Sequence, residues 1–285
     1  MKKKERYPVE IRVYPYLHDH YFEGQVIFPA VEALIVMATV AVANYPQINV
    51  CHQRQARFPR FLSIDPQEQV KKIFADITEA ADGSLSVSIK SMVKAKTGAI
   101  SRMVEHAYVE FAASPVLEDS VPPLVDFQHL GGKHFNVPAA TIYRDLVPFG
   151  KAYQNITGEL SLSSECAIAH LYGGEGEVND DPIGSPFPLD AALHAACTWG
   201  QRYAGIVAFP VGFAERIIYR KTKKGSKYIG RIIPVNTSRE PLLFDALIYD
   251  LDGIIYESVS GIQMRDVSQG RLKPPDWIKV DLQET

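Results

Sequence analysis

Two stretches of the chain are apolar on almost every helical face. The first covers residues 29–44 and is interrupted only by Glu32 and Thr39. Proline is favoured at the first position of a helix, so Pro29 predicts where this helix begins. The stretch is shorter than the about 20 apolar residues that a membrane span needs, and a helix that is apolar all round must be buried all round. A second, largely apolar helix is predicted at about 189–204.

One extended segment precedes each of these helices, and several, separated by turn signals, follow it. Glycine-containing turns such as Asp82 with Gly83 between such segments are typical of antiparallel hairpins. A short helix is predicted at 139–145. The predicted extended segments are 8–17, 56–64, 68–78, 84–95 and 100–113 in the first half, and 156–172, 206–220, 227–235, 241–251 and 254–266 in the second.

The two halves share one order of elements: a lead strand, a buried helix and an antiparallel meander. Strands that follow one another without alternating helices favour an α+β class. We therefore predict a double hotdog, in which two antiparallel-sheet units each wrap a central apolar helix and form one continuous sheet. The N-terminal hotdog is placed at 1–113, a linker containing several Pro and Gly residues at 114–139, and the C-terminal hotdog with its polar tail at 140–285.

The composition excludes several classes of protein. Of the 285 residues, 46% are apolar and 22% are charged, which is ordinary for a globular protein, and a net charge of −3 offers no bulk attraction for nucleic acid. The cysteines at 51, 166 and 197 are far apart and odd in number, which indicates neither a disulfide framework nor a metal site. The basic N-terminus is followed by Tyr-Pro-Val-Glu instead of an apolar run, so it is not a signal peptide. We expect a cytoplasmic protein that binds neither nucleic acid nor membrane.

Four short motifs occur in a fixed order along the chain. The first, at 20–29, has the pattern His-x-x-x-Gly-x-x-x-x-Pro. The others are FGKAYQ at 149–154, Asp-x-x-x-His at 190–194 and FPVGF at 209–213. In this order they resemble the motifs of the dehydratase domains of polyketide and polyunsaturated fatty acid synthases. The resemblance spans about residues 8–266.

The resemblance implies dehydration of a 3-hydroxyacyl thioester to a 2-enoyl thioester and water, in polyketide or fatty acid biosynthesis. This reaction removes a proton from C2 and expels hydroxide from C3. A histidine, which titrates near neutral pH, suits the base, and a carboxylic acid suits the proton donor to the leaving hydroxyl. By resemblance, His20 is the base and Asp190 the acid, facing each other across the two hotdogs.

The resemblance also implies a set of supporting residues. Backbone N–H groups at a helix N-terminus stabilise negative charge that develops on the thioester oxygen. The N–H of Ala30 is the candidate donor, and Gly24 and Pro29 shape the backbone around it. His194 shares a helix face with Asp190 and can orient its carboxyl group. The candidate orienting or substrate-lining residues are His194, Phe149, Gly150, Tyr153, Gln154 and Pro210.

The implied partner is an acyl carrier protein or coenzyme A, which presents the thioester on phosphopantetheine. No metal or organic cofactor is implied. Two fused hotdogs already make a monomeric pseudo-dimer, and a homodimer is the alternative. The chain departs from the family at Ala30, where Gly is usual, at Phe149, where Tyr is usual, and at Lys151, where Pro is common. The departures at Ala30 and Phe149 favour one alternative function, a non-catalytic acyl-thioester-binding module. The other alternative is a product-template-like cyclase, which resembles this fold and also uses a His/Asp pair.

Overall fold

The computed structural model describes residues 4–94, 101–113, 129–175, 181–238 and 240–279. The strands are β1 (Lys4–Arg12), β2 (Tyr21–Phe22), β3 (Gln25–Ile27), β4 (His52–Arg57), β5 (Ser63–Ile64), β6 (Val70–Glu79), β7 (Leu85–Lys94), β8 (Ser101–Phe111), β9 (Phe135–Pro138), β10 (Ile156–Leu162), β11 (Ala167–Tyr172), β12 (Phe209–Ile218), β13 (Lys227–Asn236), β14 (Leu242–Tyr249) and β15 (Ile255–Arg265). The helices are α1 (Ala30–Asn44), α2 (Ala139–Thr141) and α3 (Phe187–Trp199). Single helical turns of 3-10 or π type cover Pro15–Asp19, Ile142–Leu146, Lys151–Tyr153, Gly200–Ala204 and Asp276–Ile278.

In the described residues, twelve strands form one antiparallel sheet, in the spatial order β1-β6-β7-β8-β4-β12-β15-β14-β13-β11-β10-β9. The strands of the first half occupy one end and those of the second half the other, and β4 pairs with β12 where they meet. A small sheet of β2, β3 and β5 lies apart from the large one. The predicted continuous sheet is confirmed.

The two apolar helices are buried as their sequences require. Pro29 precedes α1 as its N-cap, and Met37, Ala38 and Ala41 have no exposed surface. Every residue of α3 is buried. The buried apolar side chains of both helices and most of those of the large sheet belong to one core cluster that runs through both halves. The α+β double hotdog is confirmed. Within the described ranges, no helix is long and apolar enough to cross a membrane.

The junction between the halves contains a buried ion pair. The guanidinium of Arg216, on β12, donates to the carboxylate of Glu257, on β15, through Nε at 2.9 Å and Nη2 at 2.7 Å. Its Nη1 donates to the side-chain oxygen of Gln53, on β4, at 3.4 Å. A buried charge without partners costs free energy, so this network favours one register of β4, β12 and β15 over registers in which a strand is shifted.

Two segments differ from the sequence-based expectation. The strand predicted at 8–17 ends at Arg12, because Pro15 opens a 3-10 turn that reaches Asp19. The single strand predicted at 156–172 is the hairpin β10–β11. Its turn is held by the Ser163 hydroxyl, which accepts the backbone N–H of Cys166 at 3.1 Å. Serine readily makes such local hydrogen bonds, which compete with a continued strand.

The predicted linker, 114–139, ends in regular structure. Its residues 114–128 lie outside the described residues, and Phe135–Pro138 form β9, which pairs with β10 at the edge of the sheet. Val137 of this strand is buried, so a short apolar alternation lies among the Pro and Gly residues. The division of the chain into units at 113 and 140 stays a prediction.

Candidate active site

A cavity of about 440 Å³ lies between the two central helices. It receives side chains from both halves: His20 and Ala30 from the first, and Asp190, His194 and Phe149 from the second. The deeper walls are apolar and are formed by Phe28, Ala33, Ile89, Ala107, Val147, Leu193, Cys197 and Ala208. The structure thus brings most of the sequence-predicted site residues to one space.

His20 reaches the cavity from the segment between the 3-10 turn and β2. Its Nδ1 lies 2.8 Å from the carbonyl oxygen of Ile27, on β3. A carbonyl can only accept, so Nδ1 carries the proton and Nε2 is the basic nitrogen. Burial lowers the pKa of His20 below its ordinary value of 6.5, although the charge of Asp190 acts in the opposite direction. The imidazole is therefore neutral at pH 7, with Nε2 free to accept a proton.

Asp190 and His194 project from the first turns of α3. Residues four apart lie on one helix face, and the Asp190 Oδ2 and His194 Nε2 atoms are 3.1 Å apart. Each residue is 5% exposed. These two atoms are nevertheless unsatisfied, since neither makes an aligned hydrogen bond within the described residues. A buried unsatisfied pair costs free energy, so a hydroxyl group placed beside it would gain two partners.

Tyr143 fixes the orientation of His194. Its hydroxyl accepts the backbone N–H of Ile156 at 2.7 Å, and the hydroxyl proton is then available for Nδ1 of His194, 3.4 Å away. This places the imidazole proton of His194 on Nε2, which faces Asp190. Tyr143 lies in the π turn after α2. It is outside the four sequence motifs, so no sequence signal indicated this role.

Phe149 packs between the two histidines. Its ring is stacked on His20 at 4.4 Å and tilted against His194 at 5.1 Å between ring centres. The neighbouring Gly150 donates its N–H to the backbone carbonyl of Asp19 at 2.7 Å, and the Ala152 N–H donates to the Asp19 carboxylate at 2.8 Å. A Cβ at residue 150 would overlap the side chain of Asp19. Glycine is thus required for the close approach of the two segments.

Ala30 is the first residue of α1 and lines the cavity. The first N–H groups of a helix have no intrahelical acceptor, and the helix dipole is positive at this end. Its backbone is helical, so alanine fits without the strain that a left-handed conformation would cause. The departure from the usual glycine therefore leaves the candidate oxyanion donor intact.

Of the remaining predicted residues, some line the cavity and others support the segments around it. Pro210, on β12, lines the cavity, whereas Gly24 lies in the turn between β2 and β3 with a φ of 77°. Pro29 caps α1. Gln154 is exposed, and its amide donates to the Phe149 carbonyl at 2.8 Å. Tyr153 is fully buried behind His20, with its ring edge-on to the imidazole at 5.1 Å.

The fold is that of solved dehydratase domains. The chain is similar to the dehydratase domain from the CurJ module of the curacin polyketide synthase, with 17% identity, 92% of each chain covered and a TM-score of 0.71. The N-terminal dehydratase from the difficidin assembly line matches with 14% identity, 93% of this chain and 94% of that chain covered, and a TM-score of 0.70. The dehydratase domain of RzxB from Pseudomonas fluorescens matches with 14% identity, coverages of 91% and 94%, and a TM-score of 0.68. No protein-family model matches the chain, and no curated protein matches it.

The hydrogen bonds of Tyr143 can be tested through stability. Tyr143→Phe leaves the buried N–H of Ile156 without an acceptor, so we expect the free energy of unfolding to fall by about 1–3 kcal/mol. Denaturant unfolding measures this change. Tyr21→Phe is the matched control, because this exposed hydroxyl makes no hydrogen bond in the described part of the chain. Equal stabilities of the two variants would contradict the assigned bonds.

Proposed function

We propose that the chain dehydrates a 3-hydroxyacyl thioester to a 2-enoyl thioester and water. The observation that carries the proposal is the shared cavity, on which a basic imidazole nitrogen and an unsatisfied carboxyl–imidazole pair converge from opposite halves. The similarity of fold to dehydratase domains also supports dehydration.

The proposed chemistry divides two proton transfers between the halves. Nε2 of His20 takes a proton from C2 of the substrate, and the carboxyl group of Asp190 gives a proton to the hydroxyl on C3. The C3–O bond breaks, the electron pair of the C2–H bond forms the double bond, and water leaves. The negative charge that develops on the thioester oxygen is stabilised by the N–H of Ala30 at the positive end of α1. His194 donates to Asp190 or to the hydroxyl and holds both in place.

The shape of the cavity supports an acyl substrate. Its deeper walls carry aliphatic and aromatic side chains. An alkyl chain bound there gains about 25 cal/mol of favourable free energy for each Å² of apolar surface that it buries. The polar side chains of His20, Asp190 and His194 lie together, where the proposed reaction would place C2 and C3 of the substrate. A cavity that is apolar with a few converging polar groups is typical of a small-molecule site.

The mouth of the cavity supports a phosphate-bearing carrier arm. Arg60 and Arg265 line the cavity and are exposed, and neither makes an ion pair within the described ranges. The carbonyl of Phe61, beside Arg60, accepts from Nδ1 of the buried His106 at 3.0 Å, which fixes the loop. Two guanidinium groups at this position suit a phosphate on an acyl carrier protein or on coenzyme A. The cytoplasmic location predicted from the sequence stays a prediction.

The catalytic pair can be tested by conservative substitutions. His20→Asn and Asp190→Asn each remove one proton transfer, so we expect turnover of 3-hydroxybutyryl pantetheine thioester to fall about 10²–10⁴-fold. Formation of the enoyl thioester is the measurement. The matched controls are His170→Asn and Asp252→Asn, which change exposed residues away from the cavity. Turnover that survives His20→Asn in a folded protein would refute the assigned base.

The acid side of the pH profile reports on His20. Only the neutral imidazole accepts the C2 proton, so kcat/KM falls as the pH drops through the pKa of this residue. Because burial lowers that pKa, we expect the acid limb of the profile to lie below pH 6.5. Initial rates across the pH range measure it, with near-UV circular dichroism as the check that the fold persists. A limb above pH 6.5 would contradict the buried, neutral imidazole.

The arginines at the mouth can be tested with two substrates that differ in phosphate. In the double variant Arg60→Gln with Arg265→Gln, we expect KM to rise about tenfold or more for a carrier-bound thioester, because charge-assisted hydrogen bonds to phosphate are lost. KM for a pantetheine thioester without phosphate should not change. Arg102→Gln, an exposed arginine on β8, is the control. An equal rise of KM for both substrates would show that the arginines support the loop and do not bind phosphate.

A further inference from the structure

A second cavity, of about 340 Å³, lies on the other side of α1. Ala30 and Ala33 of this helix face the first cavity, whereas positions 32, 35, 36, 39 and 40 face the second. Spacings of three, four, seven and eight residues place these positions on one helical face. Among the described residues, Phe28 alone lines both cavities. The second cavity is therefore a separate space, and its size is that of a small-molecule site.

Much of the wall of the second cavity is apolar. The lining residues include Ile11, Leu17, Phe28, Ile35, Pro186 and Phe187. The ring of Tyr16 packs against that of Phe187 at 6.0 Å between ring centres, so the aromatic part of the wall is continuous. A hydrocarbon group bound against this wall is removed from water, which favours binding.

Charged groups line the same cavity, and some of them already have partners. The charged residues are Glu10, Arg12, Glu32, Asp181 and Lys224. The carboxylate of Glu10 pairs with Lys72 at 3.3 Å, and the guanidinium of Arg12 lies over the ring of Tyr14 at 5.0 Å. Asp181 makes an interaction of its own. The two groups that remain carry opposite charges.

Glu32 is the negative group, and only 7% of its surface is exposed. The hydroxyl of Tyr16 donates to its Oε1 at 3.1 Å, whereas its Oε2 has no hydrogen-bond partner in the described part of the chain. Burial raises the pKa of Glu32 to about 7, since a buried carboxylate without a cation is costly. An ammonium group beside Oε2 supplies the missing cation.

Lys224 is the positive group, and its half-buried side chain makes no ion pair or hydrogen bond within the described ranges. The loop that carries it is held on both sides. The N–H of Lys223 donates to the hydroxyl of Tyr228 at 2.7 Å, and the N–H of Gly225 donates to the carbonyl of Gly174 at 2.9 Å. The ammonium group is thus positioned at the cavity without a partner.

The two unpaired charges face one cavity without touching. The positive charge of Lys224 acts on Glu32 and favours its ionised form, so the two groups are within electrostatic reach of each other. They form no ion pair, which leaves a gap between them that is bordered by apolar side chains. Such a gap is complementary to a molecule with one charge of each sign and a hydrocarbon part.

We propose that the second cavity binds a small amino acid as its zwitterion, with the ammonium group at Glu32 and the carboxylate at Lys224. The ligand ammonium donates to Oε2 of Glu32 and to the hydroxyl oxygen of Tyr16, which can accept while it donates its own proton. The ligand carboxylate accepts from the ammonium group of Lys224, and the hydrocarbon part packs against the apolar wall. This site does not rest on the proposed dehydration.

Isothermal titration calorimetry with two isomers tests the site. L-leucine and 6-aminohexanoate have the same composition, but their charges lie close together in the first and at opposite ends of the second. We expect saturable binding of at least one isomer, and the tighter isomer reports the distance between the two charged groups. Pentylammonium and hexanoate each lack one charge and should bind about tenfold or more weakly, because a charge-assisted hydrogen bond is lost.

Two substitutions remove one charge each and keep the size of the side chain. Glu32→Gln and Lys224→Gln should each weaken binding of the tighter isomer about tenfold or more. Glu159→Gln and Lys227→Gln are the matched controls, because both residues are exposed and lie outside the cavity. Near-UV circular dichroism shows whether each variant is folded.

Three results overturn the proposal. The first is the absence of saturable binding for both isomers to the unsubstituted protein. The second is a single-charge analogue that binds as tightly as the better isomer. The third is unchanged affinity in a folded Glu32→Gln or Lys224→Gln variant. If one variant does not fold, the other variant and the analogues still decide the question, and none of these results affects the test of dehydration.

Discussion

The close approach of Asp19 to Gly150 is the contact on which the candidate site depends. Asp19 immediately precedes His20, and Gly150 immediately follows Phe149, so two backbone segments from different halves are joined beside the imidazole. The Phe149 ring then stacks on His20 and reaches His194. Protein interiors are close-packed, so a side chain at residue 150 would separate the segments and move His20 away from α3. The geometry of the candidate site thus depends on a residue without a side chain.

Much of the fold could be predicted because its signals are periodic and local. Both central helices must be buried, since they have no polar face, and the turns after 80 and 250 separate long antiparallel strands as expected. The hairpin at 163–166 was not predicted, because its turn depends on one serine hydroxyl and not on Gly or Pro. Strand β9 was not predicted either, because an alternation over four residues is too short to indicate a strand among Pro and Gly residues.

The candidate site could be predicted only where residues fall into motifs. His20, Asp190, His194 and Pro210 line the cavity, and their roles stay predictions that rest on resemblance and geometry. Tyr143 and Asp19 gave no signal. Each contacts residues that are distant in the chain, and no spacing rule connects it with them. The environment that lowers the pKa of His20 arises from the packing of the two halves, which the sequence does not display.

In the proposed reaction, groups that line one cavity remove the C2 proton and the C3 hydroxyl of the same substrate. Mass spectrometry of the product from a 3-hydroxybutyryl pantetheine thioester with two deuterium atoms at C2 measures both losses. We expect an enoyl thioester that lacks the C3 hydroxyl and keeps one of the two deuterium atoms, and about 10²–10⁴-fold slower formation of it by the Asp190→Asn variant. Saturable binding of an unchanged substrate, or release of the free acid, would contradict it.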